Sequence, residues 1–405
     1  MDKKITITEI VKAKLCTGCG TCVPLCPNSA IEIIINKSEG IYNPRLDEQK
    51  CNQCGICSYI CPRYSVEGVK DASLGNYLNC FMGYAIDNDI RYNSSSGGLI
   101  TSVLSYALEE GIIDGALVTR MKEDTPLEPE SFIARTVDEI IESSGSKYCP
   151  VPANTVLSKI LKQDGKYAVV GLPCHIHGIR KAEMINKKLK DRIVLHLGIF
   201  CSGFPNFKAT EFLLYRLNLH ADEIKKLNYR GNGWPGKISI YLKNGEVKLM
   251  PYPEYWVGSG NQIFPCNGCA ECIDWFSNLA DISFGDAWLP EIKKDDKIGT
   301  SIIISRTKQI DDILHQMVRE GVIALSEIDA DKIYKSQPGF FRKKRRIASA
   351  YNCDILHRSL FYDRLISSLV YSQRVIASKR SLWWLLCSYN SFLYISSRIN
   401  SKLKR

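Results

Sequence analysis

Apolar and polar positions divide the chain into alternating strand-like and helix-like blocks. Residues 5–10 (ITITEI) and 31–35 (IEIII) carry the patterns of short strands. Residues 98–110 show helical spacing, opened by Ser94-Ser95-Ser96-Gly97. A short strand is expected at 116–121. Two continuous apolar strands are expected at 166–171 and 193–199, with a helix at 176–190 between them and another at 208–217 after them. Residues 237–242 and 247–250 flank Asn244-Gly245, a hairpin signal. Residues 300–305 read as one further strand, and from Phe341 onward the pattern is helical, basic and aromatic. Continuous apolar strands separated by helices predict an α/β body with a mixed, mainly parallel sheet.

The first 65 residues are organised differently, by an internal repeat. Cys16-x2-Cys19-x2-Cys22-x3-Cys26-Pro27 recurs as Cys51-x2-Cys54-x2-Cys57-x3-Cys61-Pro62, offset by 35 residues at every cysteine. This is the spacing of bacterial dicluster ferredoxins. Three thiolates on one loop take three corners of a [4Fe–4S] cube, and the proline directs the fourth to the other cluster. Cys16, Cys19, Cys22 and Cys61 are therefore expected to hold one cluster. Cys51, Cys54, Cys57 and Cys26 are expected to hold the second. Structural zinc also takes four thiolates, but it does not require two tandem copies of this motif. The polar stretch 68–76 reads as a linker. The expected organisation is a ferredoxin-like α+β dicluster domain at 1–68, an α/β domain at 76–340 and a basic amphipathic helical tail at 341–405.

A second group of cysteines lies in the body. Cys174 and Cys201 follow the two apolar strands at 166–171 and 193–199. A β-α-β unit puts the carboxyl ends of its strands on one rim, where ligands bind in open α/β sheets. Any two of Cys266, Cys269 and Cys272 can complete a four-thiolate site there. Cys269 and Cys272 are preferred, and the place of Cys266 stays open. The plain alternative is that Cys174 and Cys201 are small buried apolar residues. His175 and His177 read as packing or helix-start residues rather than ligands. Cys80, Cys149, Cys353 and Cys387 carry no expected role.

Charge changes the picture less than its total suggests. The 405 residues carry +10, but 341–405 hold +12 and the rest −2. A near-neutral body offers no groove for nucleic acid. The N-terminus MDKKITITEI lacks an apolar core segment, so a cytoplasmic chain with reduced, metal-binding thiols is expected. No stretch reaches the ~20 apolar residues of a membrane span. The tail sets Trp383, Trp384, Tyr389, Phe392 and Tyr394 among Arg and Lys. That composition suits peripheral contact with an anionic inner membrane face, or equally a helix folded onto the body.

Several segments together resemble one family. They are Ser95-Ser-Gly-Gly98, Gly145-Ser-Lys-Tyr148, Gly171-Leu-Pro-Cys-His-Ile-His-Gly-Ile-Arg180, Tyr229-Arg-Gly-Asn-Gly-Trp-Pro-Gly236 and Ala280-Asp-Ile-Ser-Phe-Gly-Asp286. In that order they are similar to the coenzyme F420 hydrogenase/dehydrogenase beta-subunit family. The resemblance implies bound FAD and usually one [4Fe–4S] cluster beside it. It also implies oxidation or reduction of the 8-hydroxy-5-deazaflavin coenzyme F420, although related proteins use the same core on other substrates. With the N-terminal repeat, it implies three [4Fe–4S] clusters and FAD.

Flavin contacts are expected where small residues open a helix, at Ser95, Ser96, Gly97 and Gly98. An ordinary N-cap is the alternative there. Ser146, Lys147 and Tyr148 would put a charge near a flavin carbonyl or phosphate, unless Lys147 is a solvated surface lysine. Arg230 and Trp234 either cover the ring or pack structurally. No G-x-G-x-x-G follows a strand, so an NAD site is not supported. No side chain is expected to act as a nucleophile, because the flavin carries the chemistry.

The expected function is an iron–sulfur flavoprotein oxidoreductase. It would move electrons between a small-molecule hydride donor or acceptor, coenzyme F420 first among them, and a redox partner protein. The alternatives are a non-catalytic electron-transfer subunit, a ferredoxin-driven reductase of another organic substrate in polysaccharide or cofactor metabolism, and a zinc-stabilised scaffold.

Overall fold

Two antiparallel strands and two short helices frame the cysteine repeat. The computed structural model describes residues 5–64, 73–258, 263–270 and 272–340. The tail expected at 341–405 lies outside the described residues, as do positions 68–72 of the expected linker. Helix α1 (Ile7–Lys12) precedes β1 (Ile31–Asn36) and β2 (Ile41–Leu46), and α2 (Ile56–Tyr59) lies within the second repeat. The strand expected at 5–10 is therefore helical. Thr6 and Glu9 form a reciprocal capping box, with the Glu9 carboxylate accepting from the Thr6 N–H at 2.8 Å. Ile7 and Ile10, three apart, share the buried face.

Body strands and helices then alternate. In chain order they are β3 (Asn79–Ala85), α3 (Asn88–Asn93), α4 (Leu99–Glu109), β4 (Gly115–Met121), β5 (Pro129–Ala134), α5 (Val137–Glu142) and α6 (Leu157–Lys162). Next come β6 (Tyr167–Gly171), α7 (Pro173–Ile185), α8 (Lys187–Arg192), β7 (Ile193–Ile199) and α9 (Phe207–Arg216). After them lie β8 (Ile224–Asn228), β9 (Lys237–Leu242), β10 (Val247–Pro251) and α10 (Tyr252–Gly258). The last are β11 (Ile282–Asp286), α11 (Pro290–Asp295), β12 (Ser301–Ser305), α12 (Lys308–Arg319), β13 (Ile323–Glu327) and α13 (Ala330–Ser336). The helix expected at 176–190 is two helices. Asn186 ends α7 and caps α8, its side chain accepting from the Leu189 N–H.

The main sheet has the order β13-β3-β12-β11-β7-β6-β4-β5. It is mixed: β4, β6, β7 and β11 run parallel at its centre, and antiparallel strands flank them. Val103, Leu104 and Ala107 of α4 and Ile310, Leu314 and Met317 of α12 belong to one core against the strands. Ile176, Ile179 and Ala182 of α7 form another with Leu157 and Ile160 of α6. The hairpin expected around Asn244-Gly245 is β9–β10, within a separate sheet β10-β9-β8 that packs with α9. Gly171 pairs with Gly198, and Phe284 with Ile199. This register brings the carboxyl ends of β6, β7 and β11 to one rim. Among the described residues, no helix is long and apolar enough to cross a membrane.

Candidate functional site

Ten of the twelve expected thiolate ligands lie half-buried, and Cys22 and Cys61 are buried. Burial raises the pKa of the Cys16 and Cys22 thiols, and Cys19 and Cys61 are among the thiols that push each of them further. Burial pushes Cys61 itself up to about 11, with Cys19 the next contributor. The first repeat thus gathers Cys16, Cys19 and Cys22 with Cys61 of the second. Cys26, Cys51, Cys54 and Cys57 line a separate cavity together with Pro27 and Ile31. The proline after each fourth cysteine accompanies this exchange between the repeats.

A third group of thiols assembles at the sheet rim. Cys174 opens α7, and Cys201 follows β7 with its N–H on the Trp275 carbonyl at 2.9 Å. Burial raises the Cys174 pKa, and the thiols that raise it further are Cys19, Cys269, Cys201 and Cys272. The pairing of Pro205 with Pro265 fixes the approach of the 266–272 loop to the segment after β7. Cys266 is buried and turned towards the Cys16 carbonyl, 4.0 Å away, with its neighbour Cys269 acting most strongly on it.

One local device recurs in all three groups. The N–H two residues on donates to the cysteine sulfur: Gly18 to Cys16 at 3.3 Å, Gln53 to Cys51 at 3.4 Å and Gly203 to Cys201 at 3.4 Å. Such donors favour thiolate over thiol. Four thiolates on a single zinc ion would lie within about 4 Å of each other. Among the described residues, no three His, Cys, Asp or Glu side chains converge on one ion position.

The two histidines beside Cys174 differ from ligands in their setting. His175 Nδ1 accepts from the Leu172 N–H at 3.2 Å, and Nε2 faces the Val151 carbonyl at 3.1 Å. Burial drives its pKa down to about 4, so the ring is neutral and occupied by backbone. His177 lines a cavity with Arg63, Cys174, Cys272 and Asp274.

The expected flavin residues form a second convergence. The Ser146 N–H donates to Ser95 Oγ at 2.6 Å, joining the helix-opening loop to 145–148. The cap of α4 is Gly98, at φ 77°, and no side chain caps the helix. Within the segment, Gly98 is thus the N-cap residue, and its left-handed backbone is one that glycine adopts without strain. Ser96 Oγ donates to the Thr300 carbonyl at 2.8 Å, and the Gly97 N–H to Ser301 Oγ at 2.9 Å. Lys147 is not a solvated lysine. Its half-buried ammonium donates to the carbonyls of Ser143, Ser144 and Gly145, and burial lowers its pKa to about 7.

Arg230 lies at the centre of this region. It makes a bidentate pair with Asp286 at 3.0 and 3.1 Å, donates to the Tyr148 hydroxyl at 3.1 Å, and sits 4.3 Å over the Tyr252 ring. Burial alone would lower its pKa, but the Asp286 carboxylate outweighs that and raises it. Trp234 Nε1 donates to Asp286 Oδ1 at 2.9 Å, and its ring lies 4.7 Å from that of Trp288. Asp286, Trp288 and Tyr252 were not singled out from sequence. Asp286 closes a quoted motif, so an acid at a strand's carboxyl end was the available signal. Two buried polar atoms here have no hydrogen-bond partner, Ser94 Oγ and Arg230 Nε. An unpartnered cationic donor among aromatic rings fits an anionic, planar cofactor such as flavin.

Fold and site together define an α/β protein with ferredoxin-type thiolate sites and an aromatic cluster centred on the buried Arg230. Comparisons with known proteins carry this further. Residues 80–158 and 164–331 match the N-terminal and C-terminal models of the coenzyme F420 hydrogenase/dehydrogenase beta subunit. Residues 15–64 match a 4Fe-4S dicluster domain. The coenzyme F420 hydrogenase subunit beta of Methanothermobacter thermautotrophicus is 31% identical over 64% of this chain and 88% of that protein. The coenzyme F420-dependent sulfite reductase of Methanocaldococcus jannaschii is 28% identical over 80% of this chain and 49% of that protein. Among solved structures, a chain of the F420-reducing [NiFe] hydrogenase complex from Methanosarcina barkeri aligns with a TM-score of 0.54 and 26% identity. That alignment covers 70% of this chain and 94% of that one. The chain belongs to the coenzyme F420 hydrogenase/dehydrogenase beta-subunit family, with a 4Fe-4S dicluster domain at its N-terminal end.

Proposed function

We propose that this protein is an FAD-dependent iron–sulfur oxidoreductase. It links the deazaflavin coenzyme F420, as two-electron donor or acceptor, to one-electron carriers and a redox partner protein. The observation that supports this most is the surroundings of Cys174, whose neighbouring thiols belong both to the rim group and, through Cys19, to the first repeat. Two redox sites this close can exchange electrons, which a pair of unrelated structural sites has no need to do.

Cys16, Cys19, Cys22 and Cys61 would hold one [4Fe–4S] cluster, and Cys51, Cys54, Cys57 and Cys26 the second. Cys174, Cys201, Cys269 and Cys272 would hold a third. Ser95, Ser96, Gly97, Gly98, Ser146, Lys147, Tyr148 and Arg230 would border FAD. Bound FAD would supply the exchange of a two-electron hydride for single electrons, which the clusters accept one at a time. The protein's own part is positional. Arg230, fixed by Asp286, offers a permanent cation. Tyr148, Tyr252, Trp234 and Trp288 supply an apolar wall that excludes water from it.

The relatives named for F420 are the reason for placing that coenzyme first. Their names include hydrogenase, sulfite reductase and formate dehydrogenase subunits, so partner proteins differ among them. The test is anaerobic mixing of purified protein with reduced coenzyme F420. Bleaching of a flavin band near one FAD per chain, followed by loss of cluster absorbance, is expected. Cluster absorbance without bound flavin would instead support a non-catalytic electron-transfer subunit.

A further inference from the structure

Thr21 stands at the seam between the first cysteine loop and the body. It is 1% exposed, and Asn154, which holds it, is fully buried. The Asn154 N–H donates to the Cys19 carbonyl at 3.0 Å. Its side-chain nitrogen donates twice, to Thr21 Oγ1 at 2.8 Å and to the His175 carbonyl at 2.9 Å. The His175 carbonyl can only accept, so the amide nitrogen, not its oxygen, must face that side. Thr21 Oγ1 therefore accepts from Asn154, and its own proton is left to point elsewhere. The Cys19 sulfur lies 3.3 Å from the same oxygen. As a cluster ligand Cys19 is a thiolate without a proton, so the hydroxyl donates and the sulfur accepts.

This arrangement lies on the side of the first repeat that meets α7. Gly178 leaves room for the Thr21 hydroxyl, since a Cβ there would overlap it. Cys174 opens the same helix, and Cys19 is foremost among the thiols acting on it. Resting on the ligand assignment proposed above, we infer that Asn154 and Thr21 set the redox poise of the Cys16/Cys19/Cys22/Cys61 site by aiming one hydroxyl proton at the Cys19 sulfur. A donor to a ligand sulfur stabilises the reduced, more negative state of a cluster and so raises its potential. Thr21 acts on the ligand directly; Asn154 is a positioning residue that acts through Thr21. The equivalent position in the second repeat, 35 residues on, is Ile56, which has no hydroxyl. The device therefore distinguishes one site of the N-terminal pair from the other.

The test is a redox titration of full-length, anaerobically purified protein, followed by electron paramagnetic resonance. Thr21→Val removes the hydroxyl and keeps the size of the side chain; Thr21→Ser keeps the hydroxyl. In the Val variant one of the three cluster steps is expected to fall by about tenfold in equilibrium constant, or ~59 mV. The other two steps should not move, and the Ser variant should stay close to wild type. Asn154→Ala frees the hydroxyl to turn, so the same step should fall there too, but no further once Thr21→Val is present. An unmoved step in Thr21→Val at full iron content would overturn the inference, as would an equal fall in Thr21→Ser. No fall in Asn154→Ala, or an equal fall with and without Thr21→Val, would overturn the part given to Asn154. If Thr21→Val does not hold full iron, Thr21→Ala replaces it. Iron loss there as well would overturn the inference, because a bond that tunes a cluster is not one that holds it. Wild-type iron analysis is separate: fewer than two ferredoxin-type clusters would defeat the ligand assignment and the inference together, whereas full clusters with an unmoved step defeat the inference alone.

Discussion

His196 shows most plainly what single residues contribute beyond the thiols. It is buried on β7, with Nε2 2.6 Å from Glu183 and Nδ1 3.0 Å from Asp281, and Arg180 bridges both acids. Burial would lower its pKa, but hydrogen bonds to Asp281 and Glu183 outweigh this and raise it. Asp281 is likewise disfavoured by burial, yet His196 and Arg180 hold it below its ordinary value. The network joins α7, which carries Cys174, to β7, which leads to Cys201, and to the segment after Cys272. A raised histidine stabilises fully below its unfolded pKa of about 6.5 and loses that as pH rises through the folded value. The depressed Asp281 contributes above about 3.9 and loses it as pH falls through its folded value. His196→Leu is therefore expected to cost about 3 kcal/mol near pH 6. Thermal unfolding of both proteins between pH 5 and 9 should show that gap narrowing on the alkaline side, and a constant gap would contradict the assignment. The ferredoxin cysteines were legible because their ligands sit three or four apart. Asp281, Asp286, His196 and Lys181 were not, because their partners lie 13 to 120 residues away.

At the scale of elements, the alternation of strand and helix was readable from apolar runs, and β4, β6, β7, β12 and the β9–β10 hairpin fall where expected. The misread segments share a cause. Residues 5–10 alternate like a strand, but Thr6 and Glu9 cap a helix, and three-residue spacing of Ile7 and Ile10 decides the buried face. Asn186 divides 176–190 for a similar reason: its side chain is worth more as a cap than as a helix interior residue. Strand directions were harder to read: β12 and β13 are joined through α12, yet each pairs antiparallel with β3 between them, and β5 pairs antiparallel with β4. Packing of α7 on the first cysteine loop depends on Gly178. Gly178→Ala would gain about 1 kcal/mol of helix propensity, yet its methyl must displace Thr21, which Asn154 holds at 2.8 Å. A net loss of roughly 1–2 kcal/mol is expected. Adding Thr21→Ala should recover part of it in a double-mutant cycle, whereas strictly additive losses would show that the two residues do not meet.

For the whole molecule, the +10 charge divides into a −2 body and a +12 tail. The C-terminal family model ends at residue 331, before that tail begins. The charge therefore belongs to neither the thiol groups nor the Arg230 region. What integrates the described residues is contact between the N-terminal repeats and the sheet rim. Asn154 donates to the Cys19 carbonyl, Gly268 lies against the backbone of Leu15 and Cys16, and Lys181 reaches Cys61. Sequence could place the third thiol group on a rim, but not against the first repeat, because only the folded sheet sets that distance.

The central claim is that three thiol groups hold three clusters in one electron-transfer unit. Iron and acid-labile sulfide analysis of anaerobically purified wild type and Cys174→Ala tests it most directly. About twelve irons per chain are expected in wild type, falling to about eight in the variant with both ferredoxin-type signals retained. Eight irons in both proteins, or zinc without sulfide at the rim, would contradict it.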